Sequence, residues 1–356
     1  MASTTTSPVS FKRLHPTVGA ECHGIDFSKT LPEEDIKTIR DGMAKYGVLV
    51  FRGAQLDDAR HVAFARQMGE LDSSTVFVAP GKKYRLDPFV ELTDVSNIED
   101  DGSLLQKDSL KYQLGQGNNL FHVDCSYNNR RVGLSILRAH QLPPKGTGGG
   151  TAFADTRTAY DDLDAETKEK INDYVLWHSI WHSRRLAAPD CEFLEYMPAE
   201  KNSMARHKLV QLHEPSGRMN LYIAAHGHHF DGWTKEDSQP VIQALLEHAT
   251  QDKYTFTIDW ENDGDIVIWD NTCVMHKAAG GSFAGKYVRD MRRATLLDSS
   301  STAWGLNPQK EESQEDLMSD FVKGYIASKR GAAMKAAAAA AAAEKAVPRE
   351  DAAIAA

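Results

Sequence analysis

The sequence has little cysteine and uses it without pattern. Cys22, Cys125, Cys191 and Cys273 stand alone, with none of the close spacings of a zinc site or a redox pair. A disulfide scaffold is excluded on that ground, and the chain suits a reduced compartment. Blocks of Lys or Arg are also missing, and the formal net charge of -9 argues against nucleic acid or an anionic membrane as partner. No apolar run reaches membrane-spanning length. Met1 to Ser7 carry neither the charged nor the apolar region of a secretory signal. The expectation is a cytoplasmic protein with a small-molecule partner, and a homo-oligomer is compatible with it.

A phosphate cradle is missing as well. Lys145-Gly146-Thr147-Gly148-Gly149-Gly150-Thr151 is rich in glycine but has neither the P-loop spacing nor its terminal Gly-Lys-Ser/Thr. Two readings remain for it: a tight hairpin turn, or a backbone that must pass close to a ligand.

What is present is material for a substantial core, since 356 residues are 41% hydrophobic. Thr30 to Glu34 reads as a helix start with Thr at the cap, and the helix runs toward Gly47. A second helix is expected over Asp57 to Met68, and helical patterns recur over Asp155 to Val175 and Thr234 to His248. Strands are expected at Val48–Phe51, Phe89–Leu92, Val132–His140, Leu209–Leu212, Asn220–Ala224, Cys273–His276 and Val288–Leu297. Thr255–Trp260 and Asp265–Trp269 read as a hairpin across Asn262-Asp263-Gly264. Many short strands with few intervening helices predict a mainly β fold with flanking helices, a sandwich or jelly roll. Residues 1–9 read as a disordered lead-in, 72–117 as a loop-rich insert that could cover a site, and 329–356 as an Ala-rich tail.

The candidate chemistry starts at Phe121-His122-Val123-Asp124. Read as extended, it turns His122 and Asp124 to one face. With one more His they form the 2-His-1-carboxylate triad that suits Fe(II) and leaves coordination positions open. Two sources compete for that third ligand: His276 and the cluster His226, His228, His229. Thirteen residues after His276 lies Arg289, with Arg293 four further on, so both arginines share a strand face. Such a pair suits a keto dicarboxylate whose far carboxylate sits in an arginine fork. A zinc hydrolase built on the 226–229 histidines lacks a general-base Glu at the zincin spacing. A non-catalytic metal-binding jelly-roll protein would need neither Arg289 nor Thr151.

Over roughly residues 10 to 300 the chain resembles the TauD/TfdA family of Fe(II)- and 2-oxoglutarate-dependent dioxygenases, in its 2,4-dichlorophenoxyacetate branch. The residues that carry the resemblance are Pro16 to Ala20, Gly24 to Asp26, Gly47 to Arg52, Phe121 to Asp124, Gly149 to Ala154, Gly264 to Asn271, His276 and the Arg-rich closing strand. The resemblance implies a double-stranded β-helix over 10–328, with Fe(II), 2-oxoglutarate and O2 as cofactors. It implies His122, Asp124 and His276 as metal ligands and Thr151 and Arg289 on the 2-oxoglutarate carboxylates. Arg293 would anchor the substrate, with Asn118 and Phe121 lining its side of the metal. Phe121 stands where the family commonly has Trp. The reaction implied is oxidation of an unactivated C–H of a small anionic or zwitterionic substrate, a carboxylate, sulfonate or amino acid. Cyclisation or desaturation of an amino acid, as in fungal secondary metabolism, is the alternative outcome.

Overall fold

The computed structural model describes residues 9–72, 83–99, 101–310 and 321–336. In chain order the first strands are β1 (Ser10–Arg13), β2 (Ala20–His23), β3 (Val48–Phe51), β4 (Leu92–Ser96), β5 (Val132–Gln141), β6 (Thr151–Asp155), β7 (Val175–His178) and β8 (Ala205–Lys208). Then follow β9 (Val210–His213), β10 (Arg218–Leu221), β11 (Gly227–Phe230), β12 (Thr255–Ile258), β13 (Ile266–Asp270), β14 (Val274–Ala278) and β15 (Asp290–Leu297). The helices are α1 (Glu33–Tyr46), α2 (Asp58–Met68), α3 (Leu110–Gly115), α4 (Thr156–Asp161), α5 (Ala165–Ile171), α6 (Ile180–Ala187) and α7 (Lys235–Ala249).

Seven strands form one sheet in the order β1-β2-β3-β13-β5-β15-β4, and β12-β6-β14 form a second. The period-2 alternation of strand side chains explains how the sheets are covered. Val48, Val50, Val267, Trp269 and Leu137 point inward and meet Phe153, Ile258 and Val274 of the second sheet in one buried cluster. Their neighbours Leu49, Phe51, Ile266, Ile268 and Ile136 point the other way and bury Ile36, Ile39 and Met43 of α1 and Phe64 of α2. Because β3 and β13 are covered on both faces, they read as unbroken apolar runs. This is the jelly-roll core with flanking helices that the sequence predicts.

Several local expectations are corrected. The Thr255–Trp260 and Asp265–Trp269 strands are not a hairpin: β12 pairs with β6, whereas β13 pairs with β3 and β5. The turn between them crosses from sheet to sheet, held by the buried Asp265 carboxylate, which accepts from Gly53 N, Glu261 N and the Arg52 guanidinium. Lys145–Thr151 is no hairpin turn either, since β5 and β6 lie in different sheets. The helix expected over Asp155–Val175 is two, because Asp164 caps a new start by accepting from Thr167 N. Pro32 rather than Thr30 sits at the N-cap of α1. The strand expected at Phe89–Leu92 begins at Leu92, because 84–91 are spent on turns such as Phe89 N to Leu86 O around Pro88. Within the insert expected over 72–117, β4 is an edge strand on β15 and α3 adds a short helix.

Residues 321–336 are helical and reach past residue 329, where the Ala-rich composition begins. Phe321 packs with Phe193, Leu194 and Met197. The expected lead-in over 1–8 and the tail from 337 onward lie outside the described residues. Among the described residues no helix is long and apolar enough to cross a membrane.

Candidate active site

His122, Asp124 and His276 come together with one ligand atom from each lying within 4.8 Å of the others, and all three are buried. His276 is carried by β14. His122 is tied to it by a reciprocal pair of backbone hydrogen bonds, His122 N to His276 O at 3.0 Å and His276 N to His122 O at 2.8 Å. The H-x-D segment is thus a single bridge and not the strand that the sequence suggests. Asp124 already belongs to the following turn, in which Cys125 adopts a left-handed φ of 51°. The two side chains converge because the turn bends them together.

Each donor is oriented by a neighbour. The His122 Nδ1–H donates to the Leu120 carbonyl at 2.7 Å, which leaves Nε2 facing Asp124 at 4.0 Å. His276 Nε2 lies 3.7 Å from the other carboxylate oxygen. The Asp124 amide donates to Asn271 Oδ1 at 2.9 Å, and Ser135 Oγ donates to its carboxylate at 2.7 Å. Asn271 is itself held by Trp269 Nε1–H and donates to Ser135, so the loop after β13 fixes the ligand through a closed chain of bonds. Arg293 of β15 donates to Asp124 Oδ1 at 2.6 Å. Burial pushes the Asp124 carboxyl upward, but the Arg293 guanidinium, with the Ser135 hydrogen bond, outweighs it and holds the pKa at about 2. Burial lowers His122 and takes His276 well below the ordinary imidazole range. An anionic oxygen and two neutral imidazoles are the protonation states a metal ion requires. This mixed N, N, O donor set fits Fe(II) or Mn(II).

Arg289, just ahead of β15, donates through Nε and Nη2 to the Gly149 carbonyl at 3.1 and 3.0 Å. No carboxylate among the described residues pairs with it, and desolvation alone pulls its pKa down to about 10. An unneutralised, largely desolvated guanidinium fits an incoming carboxylate. The glycine run is therefore a close-approach site: a Cβ at Gly149, where φ is +91°, would lie 3.2 Å from Arg289 Nε. Thr151, two residues on, is buried and accepts from Trp260 Nε1 at 3.2 Å. Phe121, next to His122 in the chain, has Lys277 Nζ 4.6 Å from its ring centroid. Asn118 accepts from Arg184 Nη1 at 3.3 Å.

Arg292, next to Arg293 in β15, pairs instead with Asp58 and Asp290 in a largely buried ion network. The competing histidines separate. His226 packs edge-on against His122 at 5.7 Å but is not one of the converging donors, since its Nδ1 is engaged by Ser183. His228 and His229 line a separate cavity of about 400 Å³ with Glu200 and Lys235. Sequence reasoning missed Arg184, Ser135 and Asn271. Only Asn271 left a signal, through its place in Trp269-Asp270-Asn271.

A family model described as taurine catabolism dioxygenase TauD, TfdA family matches residues 10–295. The chain is 34% identical over 287 residues to the alpha-ketoglutarate-dependent 2,4-dichlorophenoxyacetate dioxygenase of Cupriavidus pinatubonensis, covering 80% of this chain and 96% of that protein. It is 30% identical over 306 residues to an alkylsulfatase of Acinetobacter baylyi, covering 83% and 87%. Among solved structures, that of AAD-2 in complex with Mn(II) and N-oxalylglycine aligns with a TM-score of 0.72 at 32% identity, covering 83% of this chain and 98% of that one.

Proposed function

The chain belongs to the TauD, TfdA family, and from that premise we propose that it oxidises an unactivated C–H of a small anionic substrate. The observation that carries this reading is the pair of features the fold presents: three converging donors, and the Arg289 guanidinium on the Gly149 carbonyl with no carboxylate partner among the described residues. His122, Asp124 and His276 would hold Fe(II), which with 2-oxoglutarate and O2 supplies the oxidising power while 2-oxoglutarate becomes succinate and CO2.

The chain's own residues do the rest. Asn271 holds the Asp124 backbone amide and positions Ser135, whose hydroxyl donates to the carboxylate, so the ligand set is organised before the metal arrives. Arg289 and Thr151 receive the 2-oxoglutarate carboxylates, and the arginine fork sets their orientation. Phe121 keeps water from the substrate side, and Arg293 reaches that side while its Nη1 holds Asp124. The relatives named for phenoxyacetate and sulfate-ester substrates support an anionic head group. The described residues between 10 and 328 would act as one catalytic unit. A purely structural metal site is the weaker reading, because it gives Arg289 nothing to bind. Amino-acid cyclisation or desaturation would use the same metal site.

The test is metal-depleted protein reloaded with Fe(II) and 2-oxoglutarate, read by succinate release. His276→Ala is expected to lose that release together with Mn(II) affinity. Succinate release at the wild-type rate in this variant would remove His276 from the ligand set.

A further inference from the structure

A second arginine lies near the converging donors, on the helix that packs against the turn before His122. Arg184 projects from α6 across the turn at Gly117, so closely that a Cβ at Gly117 would lie 1.9 Å from its Nη1. Of its five N–H donors, Nη1 bonds Asn118 Oδ1 at 3.3 Å, and this is its sole hydrogen bond among the described residues. It has no carboxylate partner there, and its remaining N–H donors make no hydrogen bond among the described residues although burial desolvates the charge. Its chain neighbour Ser183 is hydrogen-bonded to His226 Nδ1 at 2.8 Å, and His226 packs on His122 at 5.7 Å, so this turn of α6 stands against the wall beside His122; the Arg184 charge bears on the same groups. Arg293 is paired with Asp124, whereas Arg184 has no ion pair among the described residues.

We propose that Arg184 is the anchor for the substrate's anionic group, closing on a carboxylate, sulfonate or sulfate from the side opposite β15, and that Gly117 is small so that it can pass. The inference rests on the dioxygenase reading and narrows its substrate class. No carboxylate among the described residues pairs with Arg184, and Asp124 is engaged by Arg293, so an ammonium group gains no ion pair at this anchor. Simple anions are preferred over amino acids.

Calorimetric titration of the protein loaded with Mn(II) and N-oxalylglycine tests this without turnover. The probes are phenylacetate, phenylacetamide, phenylglycine and hexyl sulfate. Wild-type protein is expected to bind phenylacetate or hexyl sulfate and to bind the amide and the amino acid at least tenfold more weakly, a loss of about 1.4 kcal/mol. Arg184→Gln should weaken the anion roughly ten- to hundredfold, as loss of a charged hydrogen bond does, and Arg184→Lys should recover part of it. Should the Gln variant fail to fold, Gly117→Ala, which displaces the guanidinium, must weaken the same anion. Anion affinity within twofold of wild type in Arg184→Gln or Gly117→Ala overturns the proposal. So does equal binding of acid and amide, or no anion binding by a wild type that takes up Mn(II) and N-oxalylglycine. Failure of that uptake would instead defeat the dioxygenase reading on which the inference stands.

Discussion

At the scale of single residues, the site depends on which charges have partners. Asp124 is a carboxylate surrounded by donors, and Arg289 is a guanidinium with a carbonyl in place of a carboxylate. Arg289→Lys keeps the charge but loses the planar fork, so N-oxalylglycine affinity in the presence of Mn(II) should fall roughly tenfold or more. Calorimetry showing unchanged affinity would mean that the cosubstrate carboxylate lies elsewhere. Legibility at this scale followed residue type: His, Asp and Arg at suggestive spacings stood out in the sequence. Ser135 and Arg184 did not, because an isolated serine or a helix-borne arginine has innumerable ordinary uses.

At the scale of elements, the loop between β13 and β14 connects the fold to the chemistry. It carries Asn271, and it is tied to the β9–β10 hairpin by His213, whose Nε2 lies 3.0 Å from Asp270 Oδ2. Burial acts to lower His213, but Cys273 and Asp270 raise it to about 10. A folded-state pKa above the unfolded value of about 6.5 means that this stabilisation is complete below pH ~6.5 and lost as pH rises toward 10. Thermal denaturation across that range should show a falling Tm in wild type and a flatter profile in His213→Gln. Parallel profiles would deny the pair its role. The hairpin expected at Asn262–Gly264 failed at this same scale. The turn chemistry was read correctly, but a turn does not specify whether its two strands pair with each other or with different sheets.

At the scale of the whole molecule, charge is also used away from the site. Arg85 donates to Asp94 at 2.7 and 2.8 Å and to Asp290 at 2.8 and 2.9 Å, bracing β4 against β15, the strand that presents Arg293. Arg85→Ala leaves two largely buried carboxylates with fewer partners and should cost about 2 kcal/mol in urea unfolding. A change below about 0.5 kcal/mol would place this pairing with ordinary surface ion pairs.

The sequence by itself determined the mainly β architecture, the alternating strands covered on both faces, and the residue types able to form a ferrous centre with a keto diacid beside it. Periodicity and composition are local properties, and they survive without coordinates. Only the tertiary structure decided which histidine meets His122 and Asp124, that Arg292 pairs with Asp58 while Arg293 pairs with Asp124, and that Arg184 comes from a helix over a hundred residues before them. Those outcomes depend on which distant segments are packed together, and the free energy that selects among them comes from burying the two-sheet core as a unit.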